Sequence, residues 1–187
     1  VDTPELMESL AYYLGQQEAF CFDTETDSLD ALQAELVGLA FAYRPGEAFY
    51  VPVPADREAA QHIVDIFRPV LESDSIVKIG QNLKYDLMVL GKYGLQVGGK
   101  LADTMLAHYR LEPEKRHGMD RLAEQYLHYQ PVPIEDLIGK KGVKQGTMRD
   151  VPIADVTEYA GEDADITLQL HHILVPELVT KQAVKLF

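Results

Sequence analysis

The chain has 187 residues, of which 47% are apolar, so a hydrophobic core is available and general disorder is excluded. Thirty acidic and seventeen basic residues give a formal net charge of -13. This balance excludes a protein that binds nucleic acid through bulk positive charge, but it allows one that meets phosphate through divalent metal held by carboxylates. The single cysteine, Cys21, excludes an internal disulfide, and no signal peptide or membrane-spanning stretch is visible. We therefore expect a reducing, cytoplasmic compartment.

The predicted elements alternate between short apolar runs and longer amphipathic segments. Thr3 followed by Pro4 predicts an N-capped helix that ends near Gly15. Short apolar runs predict strands at 19–23, 36–43, 48–53 and 76–79. Helical spacing predicts helices at 58–71, 82–93 and 153–175, and two more that begin at the caps Asp103 and Asp120. Residues 128–149 are predicted to be irregular.

The order of these elements indicates the fold class. Three strands joined by short loops, followed by helices that alternate with single strands, predict one α/β domain over residues 1–187. Its mixed sheet is expected to have antiparallel leading strands. The chain starts at Val1 without a methionine, and we expect a fragment of a longer protein.

Two acids follow the first predicted strand directly. Asp23 and Glu25 flank Thr24, so both carboxylates point to one face of the strand. Two like charges about 4 Å apart repel by roughly 4 kcal/mol at an effective dielectric of 20, and a divalent ion such as Mg²⁺ or Mn²⁺ reverses that sign. The spacing also arises by chance in a chain with 30 acids. Their position at the end of a buried strand is what favours a metal site.

Two further patterns place polar side chains on shared helix faces. Asn82 and Asp86 are four residues apart at a predicted strand-to-helix turn, and Tyr159 and Asp163 have the same spacing in the long helix. Ordinary alternatives exist for both. Asn82 could cap the helix with Asp86 solvated, and the Tyr-Asp spacing could be chance. Ligand sites of α/β proteins nevertheless gather at strand-to-helix turns.

Basic residues outnumber acidic ones only between residues 110 and 149, where there are 8 against 6. Within this segment, the loop 139–149 holds four basic residues and no acid. These basic residues are Lys140, Lys141, Lys144 and Arg149. A mobile solvated loop and a phosphate-contacting flap fit this pattern equally well. The histidines show no zinc-ligand spacing.

Together, the segments FDTET, NLKYD and the Tyr-x-x-x-Asp of YAGED resemble the three motifs of the DEDDy exonuclease superfamily. Longer segments, from FDTETDSLDALQAELVGLAFA to YAGEDADITLQLH, are similar to the 3′–5′ proofreading exonuclease domain of bacterial DNA polymerase I over essentially the whole chain. The resemblance implies an RNase H-like fold and a metal-dependent enzyme that releases nucleoside monophosphates from the 3′ end of single-stranded or frayed DNA. It also implies a polymerase domain in the same parent chain, a bacterial nucleoid location and a monomeric fragment.

The resemblance also assigns roles to individual residues. Two divalent ions are implied, Mg²⁺ or Mn²⁺ with Zn²⁺ able to fill one site. Their four carboxylate ligands would be Asp23, Glu25, Asp86 and Asp163. Tyr159 would orient the attacking water, and Ile134 stands where the family has an aromatic side chain that stacks on a base. The positions that would contact the single-stranded end are Thr24, Leu29, Gln81, Asn82, Tyr85 and Arg116.

Two other functions stay open at this stage. An exoribonuclease of the RNase D type shares the same motifs, and the choice between DNA and RNA rests on 2′-hydroxyl contacts that the sequence does not display. The second alternative is a catalytically idle domain that supports a polymerase. All four carboxylates and the tyrosine are present, so we expect an active DNA exonuclease.

Overall fold

The computed structural model describes residues 1–140, 142 and 145–181. At its centre lies a five-stranded sheet in the order β3-β2-β1-β4-β5. The strands are β1 (Ala19–Thr26), β2 (Leu36–Arg44), β3 (Glu47–Pro52), β4 (Val77–Gly80) and β5 (Leu101–Asp103). The helices are α1 (Pro4–Leu14), α2 (Arg57–Leu71), α3 (Leu83–Gly91), α4 (Thr104–Leu111), α5 (Met119–Leu122), α6 (Ile134–Ile138) and α7 (Ile153–Thr180).

The sheet is mixed, as predicted. β1, β2 and β3 form an antiparallel meander, whereas β4 runs parallel to β1 and β5 parallel to β4. β5 is the one strand of the described sheet that the sequence did not predict, because its three residues are too few to show an alternating pattern. With it, the carboxyl ends of β1, β4 and β5 lie at one edge of the sheet.

β1 is buried on both faces. Phe20 and Phe22 belong to the core that the sheet shares with α1, α2 and α3. Cys21 belongs to a second core on the opposite face, beneath α7, and is fully buried, as expected for a structural thiol. Because the strand has no solvated face, the acids at its carboxyl end are held at the margin of the protein interior.

α7 lies across β1, β2 and β3. Its fully buried Ala160 and Ala164 have short side chains, so the helix approaches the sheet closely and brings its neighbouring residues Tyr159 and Asp163 to the end of β1. The helix continues to Thr180 through Pro176, beyond the predicted end near 175. Burial of its last turns in a third core with α4 and α5 outweighs the hydrogen bond that proline removes.

Two predictions in the middle of the chain were wrong. Gly118, and not Asp120, occupies the N-cap position of α5, and the helix continues as a π-helical turn over Ala123–Leu127. Residues 128–149 are also not wholly irregular. They contain α6, whose five residues are too few for helical periodicity to be visible, and the start of the 3₁₀ turn Met148–Asp150, which a capping box closes. Among the described residues, no helix is long and apolar enough to cross a membrane.

Candidate active site

Three of the predicted carboxylates meet at the end of β1. Asp23 and Glu25 come from the strand and Asp163 from α7, and each offers one oxygen atom within 4.8 Å of the other two. Glu25 is only 6% exposed, and Oδ1 of Asp163 is buried without a hydrogen-bond partner. The strand alternation thus predicted the first pair correctly, and the helix supplies the third acid.

Holding three acids close together in a partly buried site makes their charged forms less favourable. Burial raises the pKa of Asp23 to about 6. Burial also raises the pKa of Glu25 and of Asp163 well above the usual range, and the negative charge of Asp23 adds to both rises. Within the described residues, no lysine or arginine forms an ion pair with them. An unpartnered buried oxygen among crowded carboxylates fits a divalent cation with oxygen ligands.

Asp86 reaches the same region from α3, on the opposite face of the sheet. The backbone N–H and the hydroxyl of Thr24 both donate to its Oδ1, at 3.0 and 2.6 Å. Asp86 is 2% exposed, so the alternative of a solvated carboxylate is wrong. Burial, followed by the charge of Asp23, raises its pKa well above the usual range. Asp86 lies outside the cluster of three oxygens, and Thr24 serves to orient it.

Tyr159 stands one helical turn before Asp163. Burial raises the pKa of its phenol, and the negative charges of Asp163 and Glu25 raise it further. The hydroxyl therefore stays protonated at neutral pH.

Tyr50 lies near Glu25 on the sheet, and its ring lies so close to Gly38 that a Cβ there would come within 2.2 Å of the ring. Glycine at this position lets the tyrosine lie across the strand that faces Glu25.

An open pocket of about 360 Å³ lies above the carboxylates. Its walls are residues 23–29, Tyr85, Ile134, Ile138, residues 145–148, Tyr159 and Asp163. Leu29 is 89% exposed at this pocket. The hydroxyl of Tyr85 hydrogen-bonds to Thr26 at 2.5 Å and to the carbonyl of Ser28, which fixes the ring against the strand end.

The remaining predicted contact residues surround the start of α3. Gln81 donates to the carbonyl of His117 at 2.8 Å. Asn82 is exposed and left-handed, with φ of 61°, and its side chain makes no capping bond, so the alternative that it caps the helix is wrong. Arg116 is exposed in a separate surface pocket beside Lys115 and Arg121 and does not line the carboxylate pocket. The structure thus brings together Asp23, Thr24, Glu25, Leu29, Tyr85, Tyr159 and Asp163 at the pocket, and Asp86 joins them through its bonds from Thr24. Gln81 and Asn82 at the start of α3, like Arg116, do not line the pocket.

Comparison with known proteins identifies the family. A family model described as "3′–5′ exonuclease" matches residues 1–179. The chain belongs to the 3′–5′ exonuclease family. The exonuclease is 42% identical over 177 residues to DNA polymerase I of Pseudomonas aeruginosa, covering 88% of this chain and 19% of that protein. It is thus a 3′–5′ exonuclease domain of the DNA polymerase I type, and it spans about one fifth of that relative's length.

Solved structures support the fold of the exonuclease. The catalytic core of RRP6 from Trypanosoma brucei superposes with a TM-score of 0.76 at 21% identity, covering 97% of this chain and 47% of that one. The structure of Brucella melitensis NrnC with bound Mg²⁺ superposes with a TM-score of 0.67 at 20% identity, covering 98% and 82%. The expected RNase H-like mixed sheet is therefore confirmed.

Sequence reasoning missed several residues around the site of the exonuclease. Met148 and Thr147 line the pocket, and the capping-box spacing of Thr147 and Asp150 was a signal for this turn. In the basic loop, Arg149 donates to the carbonyls of Val53 at 3.1 Å and Leu36 at 2.6 Å, so it has a structural role.

Two lysines of this loop, Lys141 and Lys144, lie outside the described residues, and their contact with phosphate stays a prediction. Nδ1 of His108 lies 2.7 Å from Nδ1 of His117, a pair that no sequence spacing indicated.

Proposed function

We propose that the exonuclease hydrolyses the last phosphodiester at the 3′ end of single-stranded or frayed DNA and releases nucleoside monophosphates, as the proofreading domain of a bacterial DNA polymerase. Residues 1–187 would form one domain of that parent chain. The observation that carries the proposal is the cluster of three carboxylate oxygens within 4.8 Å, with an unpartnered Oδ1 on Asp163, at the floor of an open pocket.

Divalent cations fit this donor set. Asp23, Glu25 and Asp163 would hold one ion, and Asp86 with Asp23 would hold a second. Hard oxygen ligands suit Mg²⁺ or Mn²⁺, and the NrnC structure contains Mg²⁺. Zn²⁺ is able to fill one of the two sites. When bound, the ions would supply positive charge beside the scissile phosphate and stabilise the negative charge that develops on its oxygens.

The protein's own groups would orient the reactants. The hydroxyl of Tyr159 stays protonated because its pKa is raised, so it would hold the attacking water in line and would not remove its proton. Thr24 would fix Asp86 through two hydrogen bonds to one oxygen, which leaves the other oxygen directed away from Thr24. In-line geometry accounts for much of the rate acceleration in such reactions because the reacting atoms are held together in advance.

The pocket walls would bind the end of the strand. Leu29, exposed at the pocket, would wedge beside the terminal base, and the fixed ring of Tyr85 would contact the terminal nucleotide. Ile134 offers an apolar contact without aromatic stacking. Gln81 and Asn82 stand at the start of α3, about one turn before Tyr85 of the pocket wall, and would bind the preceding nucleotide.

DNA is favoured over RNA by the relationship to a DNA polymerase at 42% identity. The polymerase part of the parent chain would deliver the frayed primer end to this pocket within the nucleoid. Arg116 is exposed outside the pocket and would contact the strand farther from its end, together with the basic loop. Because the chain carries net charge -13, we propose that metal ions and this basic segment together attract the phosphate backbone.

The test is digestion of a 5′-labelled single-stranded DNA, with an RNA of the same sequence alongside, in Mg²⁺, Mn²⁺ or EDTA. We expect a metal-dependent ladder that shortens from the 3′ end of the DNA and disappears in Asp163→Asn. Asp165→Asn is the matched control, since Asp165 lies on the same helix, accepts a bond from the N–H of Gly46 at 2.7 Å and stands outside the cluster. A ladder on RNA alone would support the RNase D type. No ladder on either substrate would support an idle domain.

A further inference from the structure

A single side chain caps two helices beside the proposed site. Asp103 is 8% exposed at the end of β5. Its Oδ1 accepts from the backbone N–H of Asn82 at 3.2 Å, of Met105 at 2.8 Å and of Leu106 at 3.2 Å. Its Oδ2 accepts from the N–H of Leu83 at 2.8 Å. Asp103 therefore caps α4 locally and, across about twenty residues of chain, also caps α3.

The two bonds that Asp103 accepts from the start of α3 hold the backbone conformation of Asn82. The residue has φ of 61° and ψ of 44°, a left-handed conformation that few non-glycine residues adopt. An N-cap asparagine ordinarily satisfies the first helical N–H groups with its own side chain. Here the Asn82 side chain makes no capping bond and stays exposed, while Asp103 accepts the N–H of Asn82 and of Leu83 and so holds the backbone of this turn.

We propose that Asp103 is a positioning residue for the DNA end: it holds the left-handed turn at Asn82 so that the Asn82 amide is presented to the strand. This inference rests on the proposed function. Asp86, one turn further along α3, has its own anchor in the two bonds from Thr24. Loss of Asp103 should therefore weaken DNA binding much more than it slows the chemical step.

Asp103→Asn separates the two roles of this side chain. Asparagine retains the oxygen that caps α4, but its NH₂ replaces Oδ2 and would face the N–H of Leu83, so the hold on the α3 turn is weakened. We expect the KM for a short single-stranded DNA to rise about tenfold, in line with the loss of a hydrogen bond to a charged acceptor, while kcat changes less than about threefold.

Two comparisons distinguish positioning from a general loss of stability. Asp56→Asn makes the same change at the N-cap of α2, where Asp56 accepts from Ala59 at 2.9 Å outside the carboxylate pocket, and should leave KM unchanged. Asn82→Gly keeps the left-handed turn and removes the amide, so it should also raise KM. In the Asn82→Gly variant, Asp103→Asn should raise KM by less than about a further twofold, because both substitutions remove the same contact of the Asn82 amide with DNA.

The measurements are steady-state kinetics at saturating Mg²⁺ and thermal unfolding followed by circular dichroism. If Asp103→Asn fails to unfold cooperatively, Asp103→Ser replaces it, because serine caps α4 but has a single side-chain oxygen. Three outcomes would overturn the inference. The folded Asp103 variant has the wild-type KM, its effect on KM multiplies with that of Asn82→Gly, or Asp103→Asn and Asp103→Ser both misfold. A wild-type chain that leaves DNA uncut would instead overturn the proposed function.

Discussion

Two aspartates of this protein, the buried Asp103 and the half-buried Asp163 with its buried Oδ1, differ in how their charge is satisfied. Asp103 accepts four backbone N–H groups at the end of β5. Asp163 has an Oδ1 without any partner and lies within 4.8 Å of two other acids. Burial of an acid is therefore a weak indicator of function. A buried acid that the protein leaves unsatisfied among like charges is a strong one, since its cost must be offset by a ligand.

The largest effect is expected from Asp23→Asn, which removes a charge from the unsatisfied cluster. We expect exonuclease activity to fall at least about a thousandfold, because several kcal/mol of charge stabilisation would be lost and each 1.4 kcal/mol corresponds to a factor of ten. Asp27→Asn is the control, since Asp27 lines the same pocket but is satisfied by the N–H of Glu35 at 2.8 Å. Equal losses in the two variants would contradict the distinction between satisfied and unsatisfied acids.

The next effect concerns stability without metal. The pKa of Asp23 is raised from 3.8 to about 6, so the folded state binds more protons than the unfolded state between these values. The stabilisation from protonated Asp23 is therefore present below about pH 4 and is lost as the pH rises through about 6, and the raised pKa values of Glu25 and Asp163 act in the same direction. In EDTA, Asp163→Asn should melt about 3–6 °C above the wild type at about pH 8, and the difference should shrink towards about pH 5.

Added Mg²⁺ should reverse the order of the melting temperatures of the wild type and Asp163→Asn. A cation that binds only the folded state stabilises it by about 2.7 kcal/mol at a hundred times its dissociation constant, so the wild-type Tm should rise with added Mg²⁺. The variant should respond much less, because a ligand has been removed. A wild-type Tm that is independent of both pH and Mg²⁺ would show that the acids are not a metal site.

Thr24→Val tests the orientation of Asp86 and should have an intermediate effect. The substitution keeps the backbone donor to Asp86 and removes the hydroxyl donor at 2.6 Å. We expect kcat to fall about tenfold, with KM for DNA little changed, because one hydrogen bond to a charged group is lost. Thr157→Val on α7, where the hydroxyl donates to the carbonyl of Ile153, should leave both constants at wild-type values.

The smallest effect is expected where a satisfied acid stands outside the pocket. Asp56→Ala removes the N-cap of α2 and should lower the free energy of unfolding by about 1 kcal/mol, which corresponds to about 2–4 °C in Tm. Exonuclease activity below the melting range should be unaffected. Denaturant unfolding and the oligonucleotide assay together check this. An activity loss larger than the stability loss would mean that α2 is coupled to the site.

Most of the sheet and the two residue pairs of the site could be predicted from local sequence patterns. Only the resemblance to the exonuclease family implied that Asp163 joins Asp23 and Glu25, because tertiary packing brings them together. Alternation along β1 placed Asp23 and Glu25 on one face, and helical spacing placed Tyr159 beside Asp163. The dual role of Asp103 could not be predicted, because its second set of contacts lies about twenty residues earlier in the chain. Local signals gave only its cap on α4, which the structure confirms.

Other features depended on tertiary contacts in the same way. Thr24 lies between Asp23 and Glu25, so strand alternation turns its side chain to the other face, where α3 lies, but no local rule links it to Asp86. The extension of α7 through Pro176 follows from burial of Leu174 and Leu178, which the proline signal alone argued against. Arg149 belonged to a basic loop for which a solvated loop and a phosphate-contacting flap were both open, and the fold instead brings two backbone carbonyls to its guanidinium.

The burial of Cys21 gives this protein a built-in reporter. Its thiol is the only one in the chain, it is fully buried two residues before Asp23, and burial raises its pKa well above the usual range. An alkylating reagent can react only when β1 separates from its neighbours, so the labelling rate measures how often the floor of the pocket opens. One cysteine, without any engineered label, thus allows the local breathing of the catalytic strand to be timed in the intact protein.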